Sequence, residues 1–196
     1  RIDWGYMYVA TPKEANAKQN VSLASAAATQ FMSNSLKASE KTGTDLMLNT
    51  VFPKEKISGE KEHLILLGYD DIYSINYFGT QLRPWWNIDG KNSIEKELQL
   101  AYSDYDKVIQ KCTDFDTKMY KDGLKAGGKE YAEILEIGYR QAIAAHKLTK
   151  SPDGEILFLS KENFSNGSIN TVDVTYPSAP LFLIYNPDLL KGMLNG

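Results

Sequence analysis

The chain has 196 residues, of which 42% are hydrophobic, and a formal net charge of −3 with 22 basic residues. This length supports one sizeable core or two small ones, and the lack of a long basic run argues against a nucleic-acid partner. The single cysteine, Cys112, rules out an internal disulfide, and no CxxC motif or Cys/His cluster indicates zinc. No apolar run approaches the roughly 20 residues that a membrane span needs. Because the chain begins at Arg1, we expect a fragment or a processed form.

The first half of the sequence is typical of strands and loops. Residues 3–11, 45–52 and 63–69 are rich in aromatic, β-branched and other apolar side chains, which predicts three strands. The Ala-rich residues 24–31 predict either a short helix or an irregular edge. Residues 70–78 alternate if extended, but neither face is purely apolar, so we expect a strand end or a loop laid against another surface.

Helical periodicity begins after Gly90. Apolar residues recur at three- and four-residue steps from Ser93 over about 28 residues, which predicts a long amphipathic helix capped by Asn92 or Ser93. Glycines at 123, 127 and 128 are expected to end this helix, and a second helix is predicted over residues 129–147. The change in character near Gly90 predicts a domain boundary there, between residues 1–90 and 91–196.

The C-terminal quarter combines a hairpin arm with two more helices. The turn signal at residues 151–154 precedes a short apolar run that predicts a strand. After a polar loop, residues 171–185 are so apolar that we expect a buried helix despite Pro177 and Pro180, and Pro187 begins a last one. The fold class is therefore α+β, with a β-rich part followed by antiparallel helical hairpins.

Two long stretches carry a family resemblance. The sequence "LGYDDIYSINYFGTQLRPWWNIDG", and later "PDGEILFLSKENFSNGSINTVDVTYPSAPLFLIYNPDLLKGML", resemble the glutaminase A family of fungi and Bacteroidetes-type bacteria. The resemblance implies a large extracytoplasmic protein in which a β-rich region precedes an (α/α) six-hairpin toroid. It also implies hydrolysis of the side-chain amide of glutamine. The chain would hold the end of the β-rich region and the start of an incomplete toroid, and would be inactive alone.

Two other functions stay open beside glutamine hydrolysis. The same toroid occurs in carbohydrate-cleaving enzymes, so the substrate could be a carbohydrate, because a fold does not decide chemistry. The chain could also be a non-catalytic binding or scaffold module. In each case the expected partners are a small-molecule amide or carbohydrate substrate and the remaining domains of the parent protein. We expect no cofactor and no metal.

Nucleophilic amide hydrolysis is poorly supported by the sequence. Cys112 lies on the apolar stripe of the predicted long helix, which favours a buried core thiol. His63 and His146 stand in no recognisable triad context, and each is interpreted as structural or solvated. The chain also has no GxSxG motif and no Ser-x-x-Lys motif.

Carboxylates are the better catalytic candidates, because a carboxylate can activate water for amide or glycoside hydrolysis. Glu162 and Asn163 lie in a polar loop before the apolar helix, where they are expected to be catalytic and substrate-binding, or else to cap backbone amides. Asp173 is an acid in an apolar stretch, which indicates either a catalytic group or a first-turn acid. Tyr176 is expected to line the same cavity or to belong to the core.

The remaining candidates precede the predicted boundary. Asp70 and Asp71 would point to opposite faces of an extended segment, so one is expected to face a cavity while the other pairs with Arg83 or caps backbone amides. Trp85 and Trp86 resemble a sugar-stacking platform, but beside a domain boundary they are more typical of interdomain packing. We expect at least one member of this group to bind substrate.

Overall fold

The computed structural model describes residues 5–33, 36, 42–161 and 166–196. The chain divides into two compact units, Met7–Tyr69 and a larger one comprising Asp70–Gly196 with Arg1–Tyr6. No helix among the described residues combines the length and the apolar character needed to cross a membrane. The predicted boundary near Gly90 stays a prediction.

The smaller unit is built from two strand pairs and one helix. β2 and β3 pair antiparallel with Asn20 opposite Asn49, and β1 pairs with β4. Asn49 donates from Nδ2 to Asn20 Oδ1 (2.9 Å) and to Ser22 Oγ (2.9 Å), which gives the buried polar groups of this pair internal partners. The elements are β1 (Tyr6–Ala10), β2 (Lys18–Leu23), α1 (Ala24–Ser33), β3 (Leu46–Val51) and β4 (Leu66–Asp70).

The larger unit begins with a short hairpin and continues into helices. β5 (Ile75–Tyr77) and β6 (Thr80–Leu82) pair antiparallel around the turn residues Phe78 and Gly79. Both turn residues have positive φ (46° and 88°), as a two-residue hairpin turn requires. The sequence predicted neither β6 nor β2. Three-residue strands such as β6 carry too little periodicity to be recognised.

The predicted long helix consists of two helices. α2 (Ile94–Ser103) starts at Ser93, whose hydroxyl accepts from the Lys96 amide (3.4 Å), and this confirms the predicted cap. α2 ends at Ser103, and Asp104 (φ −97°, ψ 6°) separates it from α3 (Tyr105–Ala144). Ser103 Oγ donates to the Leu100 carbonyl (2.9 Å), a side-chain bond that competes with continued helix.

α3 is itself a helical hairpin, folded back at Gly128 (φ 84°, ψ −171°). The two arms approach closely, since a Cβ added at Gly123 would lie 2.7 Å from the Ala132 Cα. The predicted glycine break is therefore correct. The predicted burial of Cys112 is wrong, because this side chain is exposed on the first arm.

The β7–β8 hairpin forms the centre of the larger unit. β7 (His146–Lys150) pairs antiparallel with β8 (Ile156–Ser160). The prediction that the helix continues to Lys147 is wrong, because α3 ends at Ala144 and the following residues pair with β8 instead. Successive side chains of a strand point to opposite faces. One face packs Leu157 and Leu159 against β5–β6, and the other packs Phe158 against the C-terminal helices.

Those helices are α4 (Val172–Tyr185) and α5 (Pro187–Leu194). Phe182 of α4 is fully buried against Phe158, with ring centroids 5.1 Å apart. The prediction of a helix over residues 171–185 is confirmed, but the prediction that it is buried is wrong. Its side chains away from Phe182 are largely exposed, including Val172, Tyr176, Leu183 and Ile184.

Candidate functional site

Asp70 and Asp71 lie in a tight turn that leads from β4 into β5. Asp70 Oδ1 accepts a hydrogen bond from the Ile72 amide at 2.8 Å, so Asp70 caps a backbone amide, one of the three roles predicted for this pair of acids. Ile72 has φ 59°, in the left-handed region that β-branched residues rarely adopt. Backbone strain of this kind costs of the order of 1–3 kcal/mol and persists only where surrounding contacts impose it.

Asp71 supplies those contacts from a buried position. Its side chain is 2% exposed, and Oδ1 accepts from the Ser74 hydroxyl at 3.2 Å. Oδ2 lies 3.0 Å from Lys147 Nζ in an ion pair, and receives no well-aligned hydrogen bond from the described residues. A buried carboxylate needs such a cation, because an unpaired charge away from water is costly. The predicted partner was Arg83, and the observed one is Lys147.

Lys161 completes this polar group, which we call the Asp71 cluster (Asp71, Ser74, Lys147 and Lys161). Its ammonium group donates to the Ser74 carbonyl at 2.5 Å, on the same face of the β7–β8 hairpin as Lys147. Burial lowers the pKa of Lys161, and repulsion from Lys147 lowers it further, while attraction to Asp71 opposes both. The cluster therefore ties the strained turn to both strands of the central hairpin.

Arg83 has other contacts. Its guanidinium carbon lies 5.0 Å from the centroid of the Tyr73 ring, a cation–π arrangement. Its carbonyl accepts from the buried Thr149 hydroxyl at 2.6 Å, which fixes the end of β6 to β7.

The two tryptophans lie in a short 3-10 turn, Trp85–Asn87, and differ in exposure. Trp85 is exposed, with Lys150 Nζ 5.6 Å from its ring, so its free ring area could stack on a ligand. Trp86 is half-buried, and its carbonyl accepts from Asn92 Nδ2 at 3.3 Å. Their predicted role in binding substrate stays a prediction.

Asp173 and Tyr176 lie together on the outward face of α4, nearly one helical turn apart. Asp173 is in the first turn, where an acid favours the helix dipole, and its side chain is exposed. Tyr176 is 80% exposed. Glu162 and Asn163 lie outside the described residues, so their predicted meeting with Asp173 in one cavity stays a prediction. The observed partners of Asp71 are Ser74 and Lys147, not Asp173 or Tyr176.

His146 lies in the core at the start of β7, in agreement with the structural interpretation of this residue. Its Nδ1 is 2.6 Å from the Ala142 carbonyl, and its ring stacks on Phe158 with centroids 4.6 Å apart. Burial lowers the pKa of His146, and the hydrogen bond to Ala142 opposes this only in part. The ring is therefore favoured in its neutral form, with Nδ1–H donating to the carbonyl.

The sequence analysis missed the two lysines of the Asp71 cluster. Their position could have been predicted from the alternating side chains of "HKLTK" and "ILFLSK". If these two segments are recognised as paired strands, the alternation places Lys147 and Lys161 on the same face of the hairpin. Over the described parts of the chain, no group of three or more His, Cys, Asp or Glu side chains could hold a metal ion.

Two family matches together cover most of the chain. Residues 1–122 match the family described as a domain of unknown function, DUF5127. Residues 128–196 match the family described as the Glutaminase A six helical-hairpin domain. The second match includes the second arm of α3, the β7–β8 hairpin, α4 and α5.

Two fungal relatives are similar to parts of the chain. Glutaminase A of Aspergillus oryzae is 40% identical over 97 residues, which cover 50% of this chain and 14% of that protein. A protein of Arthroderma benhamiae named "Probable glutaminase" is 30% identical over 115 residues, which cover 59% of this chain and 13% of that protein. The matches thus span about one seventh of the length of these relatives. No solved structure gives a significant match.

The match to DUF5127 alone accounts for more than half of the residues. The chain belongs to the DUF5127 family, and its six-hairpin segment and its fungal relatives show its similarity to the glutaminase A-like proteins.

Proposed function

We propose that this chain is a segment of an extracytoplasmic glutaminase A-like hydrolase that releases ammonia from the side-chain amide of glutamine. The observation that carries the proposal is the 40% identity, over half of the chain, to a protein named Glutaminase A. The match of residues 128–196 to the Glutaminase A hairpin domain supports it independently of the N-terminal part. The extracytoplasmic location rests on the family resemblance alone.

Amide hydrolysis requires a group that removes a proton from water as the water attacks the amide carbon. The tetrahedral intermediate then expels ammonia, after a proton has reached the leaving nitrogen. We propose Glu162 for the proton transfers, because it shortly precedes α4 in the sequence, and α4 presents Asp173 and Tyr176. Asp71 is unsuited to this role, since its carboxylate is buried and engaged by Lys147 and Ser74.

The chain is proposed to be inactive in isolation. A domain of six helical hairpins is matched here over only 69 residues, from 128 to 196, so further hairpins of the complete protein would supply most of the cleft. Ammonia release by the isolated 196-residue chain would contradict this proposal.

One observation favours carbohydrate cleavage as a second candidate function. Exposed tryptophan rings are typical sugar-stacking surfaces, and Trp85 offers one. The full-length protein should therefore be given L-glutamine and, separately, a panel of glycans. We expect ammonia from glutamine and no reducing sugar from the glycans. Reducing sugar without ammonia would establish the second function instead, and neither product would indicate a binding or scaffold module.

A further inference from the structure

The first arm of α3, residues 105–127, carries an apolar stripe that is covered along only part of its length. At about 100° per residue, one side of the helix holds positions 105, 108, 109, 112, 115 and 119. The stripe is packed towards the turn of the hairpin, where Met119 is 1% exposed. There the Phe115 ring lies 5.2 Å from the Tyr139 ring and 5.7 Å from the Tyr185 ring, centroid to centroid. The other end of the stripe, which we call the open stripe, consists of Tyr105, Val108, Ile109 and Cys112.

The open stripe is exposed although it has the pattern of a helix face that packs on a core. Its tyrosine, valine and isoleucine side chains are 41%, 48% and 47% exposed, and its cysteine is exposed as well. The opposite side of the same turns is charged, with Lys107, Lys111 and Asp114. A helix with one apolar and one charged side normally buries the apolar side, and a contiguous exposed apolar patch marks an interaction surface. The pattern therefore indicates a partner for this end of the arm.

The covered end of the stripe shows which kind of partner fits. Phe115 packs on two helices there, the second arm of α3 through Tyr139 and α4 through Tyr185. The two arms run antiparallel with equal rise per residue, so the second arm, which ends at Ala144, finishes about level with Cys112. The stripe thus continues past the end of the helix that covers it. Side chains at three- and four-residue steps fit the grooves of another helix, so the open stripe matches a further helix.

We propose that the open stripe is the docking surface for a helix of the six-hairpin domain that lies outside residues 1–196 in the complete protein. A domain of six hairpins is matched here only over residues 128–196, which contain the second arm of α3, α4 and α5. The matches to the two fungal relatives span about one seventh of those proteins, so most of their length remains to supply such a helix. The docked helix extends the packing that the second arm begins. The inference does not depend on which reaction the complete protein catalyses.

The size of the open stripe favours a helix of the same polypeptide over a second copy of this chain. A stable interface between separate chains buries about 800 Å² per partner, and four side chains on about two helical turns offer much less. A helix of the same polypeptide needs less area, because tethering removes most of the entropy cost of association. The partner is therefore an amphipathic helix whose own apolar side faces the open stripe.

The first test measures how fast iodoacetamide alkylates Cys112 in the native full-length protein. The Lys107→Cys variant carries a second thiol on the charged side of the same helix, and mass spectrometry of the two peptides follows both thiols in one sample. Each rate is divided by the rate of the same thiol in urea, which removes differences in intrinsic reactivity. We expect Cys112 to react at least about 100-fold more slowly than the control thiol, because a covered thiol reacts only through local opening. Comparable rates at the two positions would overturn the inference.

The second test identifies the occupant by photo-crosslinking from Tyr105→p-benzoylphenylalanine in the full-length protein, a change that keeps an aromatic side chain on the stripe. We expect the crosslinked peptide to come from a helix of the six-hairpin domain outside residues 1–196. A crosslink to the β-rich part or to a second copy of the protein, or no crosslink at all, would show that this helix is not the occupant. Neither test measures ammonia release, so the proposed function and this inference stand or fail separately.

Discussion

Asp71 and Asp173 were both predicted as site residues, but they lie in opposite environments. Asp71 lies at the central hairpin, and Asp173 lies on α4. Asp71 is nearly inaccessible, and its oxygens are taken by Ser74 and Lys147. Asp173 is exposed, in the first turn of a helix that contains Pro177 and Pro180. The difference separates two uses of a carboxylate: one holds elements of the fold together, and the other is available to a ligand.

The same contrast runs through the surroundings of each acid. The Asp71 cluster fastens a strained turn to both strands of a buried hairpin, so its polar groups find partners inside the protein. Asp173 and Tyr176 lie on α4, where Phe182 is the buried residue. Changes near Asp71 should therefore affect stability, and changes at Asp173 should leave stability nearly unchanged.

The largest expected effect is on the free energy of unfolding, and it differs between the two sides of α4. Phe182→Ala should lower the free energy of unfolding by about 3–5 kcal/mol, because it removes a fully buried ring packed on Phe158. Tyr176→Ala on the opposite side should change it by less than about 0.5 kcal/mol. Urea unfolding of the full-length protein measures both. Similar losses for the two variants would show that the outward face is packed.

A smaller effect is expected at the Asp71 cluster. Asp71→Asn removes one partner of a buried ion pair, which should cost about 3 kcal/mol, the low end for such pairs because Lys147 is partly exposed. Asp70→Asn is the matched control, since Asp70 accepts from the Ile72 amide and the new amide oxygen can still accept there, so it should cost less than about 1 kcal/mol. Equal losses at the two positions would contradict a special role for the buried pair.

The smallest effect concerns pH. The folded protein holds the pKa of His146 below its usual 6.5, so the unfolded chain binds more protons around and below that value. Stability should therefore fall as pH decreases from above 6.5 towards the folded pKa, by at most about 1.4 kcal/mol per pH unit from this group. His146→Gln should reduce this slope in Tm measurements between pH 7.5 and 5.5. An unchanged slope would show that His146 is not the group responsible.

Much of the fold could be predicted from local sequence. The helix cap at Ser93 and the helical break at Gly128 depend on the chemistry of one or a few neighbouring residues, and both were predicted correctly. The helix over α4 followed from its continuous apolar run. These features depend on interactions within a few positions of the chain, which a single sequence displays directly.

Other features depend on contacts between distant residues. The first two residues of β7 were predicted as the end of a helix because "HKLTK" acquires its strand geometry only by pairing with β8. Lys147 was not expected as the partner of Asp71 for the same reason. The burial of Cys112 was predicted from the apolar stripe of its helix, and that of α4 from its apolar composition. Neither signal tells which apolar surface the described part of the chain covers.

The division of roles between the two acids is tested most directly by measuring kcat/KM for L-glutamine in two full-length variants, Asp173→Asn and Asp71→Asn. Each value is corrected for the fraction of that variant that is folded. The account predicts a loss of about tenfold or more for Asp173→Asn at unchanged Tm. For Asp71→Asn it predicts a lowered Tm and, per folded molecule, a much smaller loss of kcat/KM. The reverse result, with Asp71→Asn defective in turnover and Asp173→Asn unaffected, would contradict it.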